Sequence, residues 1–144
     1  MTTFETRADL PRGLRNNNPG NIRPNPKYTW YGQKGTEHGY CIFDDIEHGI
    51  RAMAKDLKSK IGRGLNTMSK YIPVYAPPED NNNTQGYINR VSKETGFNPN
   101  TVLTADKATL EKLVKAHIAV EVGDDRAYLI TDAMISEGVA MALQ

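Results

Sequence analysis

Arg15-Asn16-Asn17-Asn18-Pro19-Gly20-Asn21-Ile22-Arg23 is the most distinctive stretch of this 144-residue chain. Asparagine and glycine tolerate left-handed backbone, and asparagine side chains hydrogen-bond to nearby peptide groups, so the stretch predicts an ordered turn. The same amides can also donate to and accept from the acetamido groups of a sugar ligand. At the level of sequence both roles stay open, with the structural role taking the larger share.

Short aromatic and β-branched segments follow this turn. They cover residues 28–31 and 40–43, and Gly32, Gly35 and Gly39 lie between them. Such segments separated by turn-forming glycines favour a β-hairpin or a small three-stranded ribbon.

The rest of the chain changes to helical periodicity. Apolar residues recur at three- and four-residue intervals, which predicts five amphipathic helices. Candidate N-caps and closing glycines place them at about residues 46–62, 67–73, 84–95, 104–122 and 131–140. We therefore predict an α+β fold that is mainly helical, with a loose N-terminal arm over residues 1–14 and a single domain over residues 15–144.

Composition excludes several classes of protein. The chain is 38% apolar and 24% charged, with a formal net charge of +1. So small a net charge does not indicate a nucleic-acid-binding protein. No apolar run is long enough to span a membrane, and the first ten residues lack the apolar core of a signal peptide. Synthesis in a bacterial cytoplasm is expected. The single cysteine, Cys41, has apolar neighbours and is expected to be a buried structural thiol.

Glu121 is the strongest candidate for chemistry. It lies between Val120 and Val122 in the last turn of the predicted fourth helix. The negative end of the helix dipole and the apolar neighbours should both raise the pKa of its carboxyl. A general acid for glycosidic cleavage needs such a proton-holding carboxyl. The alternative is an exposed glutamate on a frayed helix end.

Glu37 is the candidate for a second carboxylate. It lies near the predicted tip of the β-ribbon, where it would face a helix-borne acid, although polar side chains at turn tips are usually there for solubility. Its neighbour His38, with His48 and His117, has no spacing typical of metal ligands, so no metal and no cofactor is expected. Helical spacing makes His117 a partly buried histidine.

The chain resembles a family of small phage and prophage proteins, many of them labelled only as structural or virion proteins. The resemblance covers most of residues 12–140. Four parts of the sequence carry it: residues 14–23, Trp30-Tyr31-Gly32-Gln33, Phe43 together with residues 49–54, and residues 75–81 together with Thr84 to Tyr87.

The order of these parts is also similar to the glucosaminidase and lytic transglycosylase branch of the lysozyme-like superfamily. In that branch the catalytic glutamate ends a helix that precedes the Asn-rich turn, whereas here the helix-ending glutamate is Glu121. The resemblance therefore implies a circularly permuted lysozyme-like domain. Relatives have polar residues around this glutamate, where the present chain has valines.

The function implied is cleavage of the β-1,4 bond between N-acetylmuramic acid and N-acetylglucosamine in peptidoglycan, by a monomer. Glu121 would protonate the glycosidic oxygen. If Glu37 faces the cleft, it would activate water and the product would be a reducing sugar. With no second carboxylate in place, the sugar's own 6-hydroxyl would attack and a 1,6-anhydro product would form. The main alternative is a non-catalytic virion or tail protein that binds peptidoglycan. A peptidase is disfavoured by the buried cysteine and scattered histidines. The implied glycan-binding residues are Asn18, Asn21, Trp30, Gln33, Asn82 and Tyr87.

Overall fold

The computed structural model describes residues 1–80 and 82–144. In this part of the chain the regular elements are β1 (Gln33–Glu37), β2 (Tyr40–Phe43), and the helices α1 (Arg12–Arg15), α2 (Ile46–Gly62), α3 (Met68–Tyr75), α4 (Thr84–Thr95), α5 (Lys107–Val122) and α6 (Asp132–Ala142). This confirms the mainly helical α+β class. None of the described helices has the length and apolar character needed to cross a bilayer.

Helix α2 is the centre of the domain. It packs against α5 and α6 and also contacts β2, while α4 packs between α3 and α5. Its inward residues Ile50, Met53 and Leu57 are fully buried, as the periodicity predicts. The Asp45 side chain caps its first turn by accepting a hydrogen bond from the His48 N–H at 2.9 Å.

The β-hairpin is two-stranded and begins later than predicted. Residues 28–31 do not form a strand: Tyr28 makes only an isolated bridge to Asn25, and Gly32 turns the chain at φ 82° before β1 starts. The two-residue loop of His38 and Gly39 has positive φ at both positions, which matches the twist of an antiparallel pair.

Residues 1–14 are anchored rather than loose. The Ile46 N–H donates to the Thr2 carbonyl at 2.7 Å, and the Phe4 N–H donates to the Asn17 Oδ1 at 2.9 Å. Phe4 and Leu10 are buried in the same apolar core as the helices. The sequence did not predict this because the apolar residues of this segment follow neither helical nor strand spacing.

The Asn-rich turn and α2 approach each other too closely for a side chain at Gly49. A Cβ built there would lie 1.9 Å from the Asn17 carbonyl oxygen. Gly49→Ala is therefore expected to lower the free energy of unfolding by about 1–3 kcal/mol or more through overpacking.

Gly62→Ala is the matched control, because the same helix offers open space within 4 Å of a Cβ at Gly62. We expect it to leave the free energy of unfolding unchanged or raise it by up to about 1 kcal/mol. Urea unfolding of both variants measures the difference, and equal stabilities would contradict the close approach at Gly49.

Candidate functional site

The consecutive asparagines of the turn brace the backbone from inside. Asn17 Nδ2 donates to the Phe43 carbonyl at 3.1 Å. Asn18 Nδ2 donates to the carbonyls of Ile22 and Cys41 at 2.9 and 3.0 Å, and its Oδ1 accepts from the Ile22 N–H at 2.8 Å. Asn18 is 1% exposed, so its amide is used within the protein and holds the turn against β2.

Asn21 has a different environment. Its backbone is left-handed at φ 51°, and its Nδ2 donates to Glu121 Oε2 at 2.9 Å. This hydrogen bond joins the turn to the last turn of α5 across one hundred positions in sequence. The Asn-rich turn therefore orients the carboxylate that local sequence features single out.

The second oxygen of Glu121 is held by a tyrosine. Tyr87, which is 7% exposed on α4, donates its hydroxyl to Glu121 Oε1 at 3.1 Å. Burial raises the pKa of the Glu121 carboxyl, and the hydrogen bonds from Asn21 and Tyr87 offset part of that rise because they favour the charged form. The net effect is a carboxyl that retains its proton to higher pH than an exposed glutamate.

A fully buried histidine lies behind this pair. His117 is one helical turn before Glu121 on α5, and its two ring nitrogens lie 2.7 Å from the hydroxyls of Tyr71 and Tyr87. The Tyr75 ring packs on it with a centroid distance of 4.6 Å. Burial, and secondarily the charge of Lys60, lowers the pKa of His117 to about 3. The imidazole is therefore neutral at physiological pH.

The neutral imidazole has one donor and one acceptor, which fixes the direction of the hydrogen bonds. Since Tyr87 donates its hydroxyl proton to Glu121 Oε1, its oxygen accepts from the Nδ1–H of His117, and Nε2 accepts from Tyr71. Burial also raises the pKa of Tyr71 and Tyr87, which keeps both phenols protonated. The result is a continuous chain of hydrogen bonds ending on Glu121.

Glu121 lines a groove of about 370 Å³, named here the glutamate groove. One wall is formed by the segment from Gly20 to Trp30 together with Tyr40, and the other by α2, α3 and the loop after α3. The side chains most relevant to binding are Asn21, Asn25, Tyr28, Trp30, Tyr40, Asp56, Lys60, Tyr75, Asp80, Asn82 and Glu121.

Asn21, Trp30 and Asn82, three of the residues predicted to bind a ligand, line this groove, whereas the buried Asn18 does not. Tyr87 acts from behind it by holding Glu121. Gln33 accepts from the Trp30 N–H at 3.1 Å and supports the turn that carries the indole. Trp30 and Asn82 therefore face the groove, whereas Tyr87 and Gln33 support the residues that line it.

Glu37 lies outside the glutamate groove. Its Oε1 accepts from Asn16 Nδ2 at 3.3 Å and lies 3.6 Å from Arg12 Nε. Its assignment as the second catalytic carboxylate therefore receives no support from the geometry.

The sequence reasoning missed Asp56 and Lys60. Lys60 Nζ lies 2.7 Å from both carboxylate oxygens of Asp56, and this pair lines the groove from α2. The sequence does contain a signal for this ion pair. Lys60 falls on the apolar face of α2, three residues after Leu57, and Asp56 precedes it by the four residues that suit a helical ion pair.

The single cysteine is a structural residue. Cys41 is fully buried in β2, and burial raises the pKa of its thiol to about 11. A thiol in this state is a poor nucleophile, which agrees with the prediction of a structural role.

Fold and site together define a mainly helical α+β domain in which a partly buried glutamate lines an open groove. The chain is 34% identical over 122 residues to Protein P5 of Pseudoalteromonas phage PM2, a match that covers 81% of this chain and 74% of that protein. It therefore belongs to the family of this bacteriophage protein. No protein-family model matches the chain.

Proposed function

We propose that the protein cleaves the β-1,4 bond between N-acetylmuramic acid and N-acetylglucosamine in bacterial peptidoglycan. The observation that carries this proposal is the Glu121 carboxyl, which lines a sugar-sized groove, has a raised pKa and is held by Asn21 and Tyr87. A carboxyl with a raised pKa retains its proton to higher pH than an ordinary glutamate, which favours its use as a glycosidic general acid.

The chemistry assigns one proton cycle to Glu121. The carboxyl gives its proton to the glycosidic oxygen, the bond from that oxygen to C1 of the muramic acid breaks, and N-acetylglucosamine leaves with a free hydroxyl. The Glu121 carboxylate then takes a proton from the nucleophile that attacks C1. Attack by the sugar's own 6-hydroxyl gives a 1,6-anhydro end, and attack by water gives a reducing end.

The nearby carboxylates determine which nucleophile is favoured. Asp56 lines the groove, but its charge is neutralised by Lys60. Asp80 also lines the groove, on the loop after α3. A carboxylate already paired with an ammonium is a weak base for water, so the anhydro-forming route is favoured unless Asp80 supplies the second group.

The groove also has the composition expected of a sugar site. Aromatic side chains of Tyr28 and Trp30 can pack against pyranose rings, and the amides of Asn25 and Asn82 offer partners for hydroxyl and acetamido groups. Its volume is within the range of small-molecule sites.

Product analysis tests the reaction class. Purified sacculi are incubated with the protein, and the soluble products are examined by mass spectrometry before and after borohydride reduction. New anhydro or reducible muramic acid ends are expected. Cleavage confined to peptide or amide bonds would contradict the proposal.

A non-catalytic virion component is the second candidate, because the family includes a phage protein. It would retain the groove for attachment, so binding to sacculi without new glycan ends would favour it. In either case the protein, made in the host cytoplasm, would reach the wall after lysis begins or within a phage particle.

Removing the amide of Asn21 is expected to shift the pH dependence of cleavage. Asn21→Ala removes a hydrogen bond that lowers the pKa of Glu121, so that pKa rises further and the acid form persists to higher pH. The alkaline limb of kcat/KM on soluble glycan strands should move to higher pH. Asn25→Ala is the control, since Asn25 lines the groove but, among the described residues, its side chain is hydrogen-bonded to the Lys27 N–H and not to Glu121. Equal shifts in both variants would contradict the assignment.

A further inference from the structure

A second pocket opens beside the glutamate groove. It has a volume of about 570 Å³ and is named here the basic pocket. Its lining residues come from residues 25–31 and from α2 with the residue that follows it, and it shares Asn25, Tyr28, Trp30 and Asp56 with the glutamate groove. The two depressions are therefore parts of one continuous surface.

The α2 wall of the basic pocket carries a stripe of positive charge. Arg51, Lys55 and Arg63 line it, and their spacing of four and eight residues places them along one face of the helix. Within residues 1–80 and 82–144, no carboxylate oxygen lies within 4 Å of the charged nitrogens of these three residues. The one acidic residue in the lining, Asp56, is paired with Lys60.

The opposite wall is aromatic and exposed. Tyr28 and Tyr31 are 51% and 67% exposed, and Trp30 packs edge-on against Tyr28 at a centroid distance of 5.2 Å. The Arg51 guanidinium lies 5.1 Å above the Tyr31 ring, which orients a planar donor group beside the pocket. A ligand for this pocket must combine negative charge with a surface that packs on aromatic rings.

We propose that the basic pocket binds the carboxylates of the peptide stem attached to N-acetylmuramic acid, and so selects peptide-bearing glycan over bare glycan. This inference rests on the proposed function. The stem branches from the sugar ring through a lactyl group, so a ring bound against Trp30 and Tyr28, which line both depressions, can extend its stem into the adjacent basic pocket. Because the basic pocket is continuous with the glutamate groove, one ligand can occupy the groove and also contact Arg51, Lys55 and Arg63.

The same charge and aromatic character would also suit single-stranded nucleic acid. The continuity with the glutamate groove and the formal net charge of only +1 favour the peptide stem, since strong nucleic-acid binding draws on a larger basic surface. A nucleic-acid ligand is therefore one outcome of the test.

Calorimetry on the full-length protein tests the inference with two soluble probes. They are the disaccharide N-acetylglucosaminyl-N-acetylmuramic acid with its tetrapeptide and the same disaccharide without peptide; neither contains the bond that the protein is proposed to cleave. We expect the peptide-bearing probe to bind about ten-fold more tightly, equivalent to about 1.4 kcal/mol.

The triple variant Arg51→Gln, Lys55→Gln, Arg63→Gln should abolish this preference and leave the affinity for the bare disaccharide within about two-fold of wild type. The control variant Lys58→Gln, Lys70→Gln, Lys93→Gln removes equal charge at exposed positions outside the basic pocket and should keep the preference.

Equal affinities of the wild type for the two probes, or no binding of either, would overturn the inference. Tighter binding of a single-stranded oligonucleotide than of the peptide-bearing probe would also overturn it. The proposed function fails by a different readout, the absence of new glycan ends in digested sacculi.

Discussion

Glu121→Gln is expected to lower the rate of glycan cleavage from purified sacculi by about 10²–10⁴-fold, the contribution typical of a general acid. Glutamine keeps the size of the side chain and its carbonyl can still accept from Tyr87, but it has no proton to give to the glycosidic oxygen. Release of dye-labelled peptidoglycan measures the rate, and circular dichroism verifies that the variant is folded.

Glu37→Gln is the matched control for this loss. It makes the same chemical change at a carboxylate outside the glutamate groove, and we expect activity within about two-fold of wild type. If Glu121→Gln kept wild-type activity, Glu121 would not be the acid. A loss in Glu37→Gln equal to that in Glu121→Gln would restore Glu37 as a second catalytic carboxylate.

His117→Gln is expected to flatten the acid side of the stability profile. The ordinary imidazole pKa is 6.5, and burial lowers it to about 3 in the folded protein. Between these values the unfolded chain binds a proton that the native protein does not, so wild-type stability falls as pH falls. The contribution is about 1.4 kcal/mol per pH unit, and the variant lacks it.

Urea unfolding at a series of pH values from 6.5 to 4 measures this slope. His38→Asn is the control, because His38 is exposed at the hairpin turn and asparagine tolerates its positive φ of 52°. The control should retain the wild-type slope. A slope in His117→Gln as steep as in the wild type would mean that His117 is not held neutral in the core.

The helices were predictable because their signals are local. Apolar periodicity located α2 and α5, and the side chains of Thr67, Asp106 and Thr131 cap the starts of α3, α5 and α6. In α4 the N-cap is Asn83, whose side chain accepts from the Gly86 N–H, and Thr84 is the first helical residue, at the predicted start. A local signal misled for residues 28–31, where aromatic content predicted a strand in a segment that Gly32 and the preceding prolines shape into turns.

The site was only partly predictable. The position of Glu121 at a helix end among valines was enough to select it, but nothing local indicated that Asn21 would hold its carboxylate. Likewise His117 looked like an ordinary core residue, and its place between Tyr71 and Tyr87 depends on how three helices pack. The circular permutation stays a prediction, because it concerns the ancestry of the chain order rather than its contacts.

The most direct test of the central claim is the titration of the Glu121 carboxyl itself, followed by ¹³C NMR in labelled wild-type protein and assigned by comparison with Glu121→Gln. We expect its pKa to lie above the ordinary value of 4.5 and to coincide with the alkaline limb of kcat/KM for cleavage of soluble glycan strands. A Glu121 carboxyl that titrates at or below 4.5, or a cleavage rate that persists unchanged after it has lost its proton, would contradict the claim that Glu121 is the proton donor.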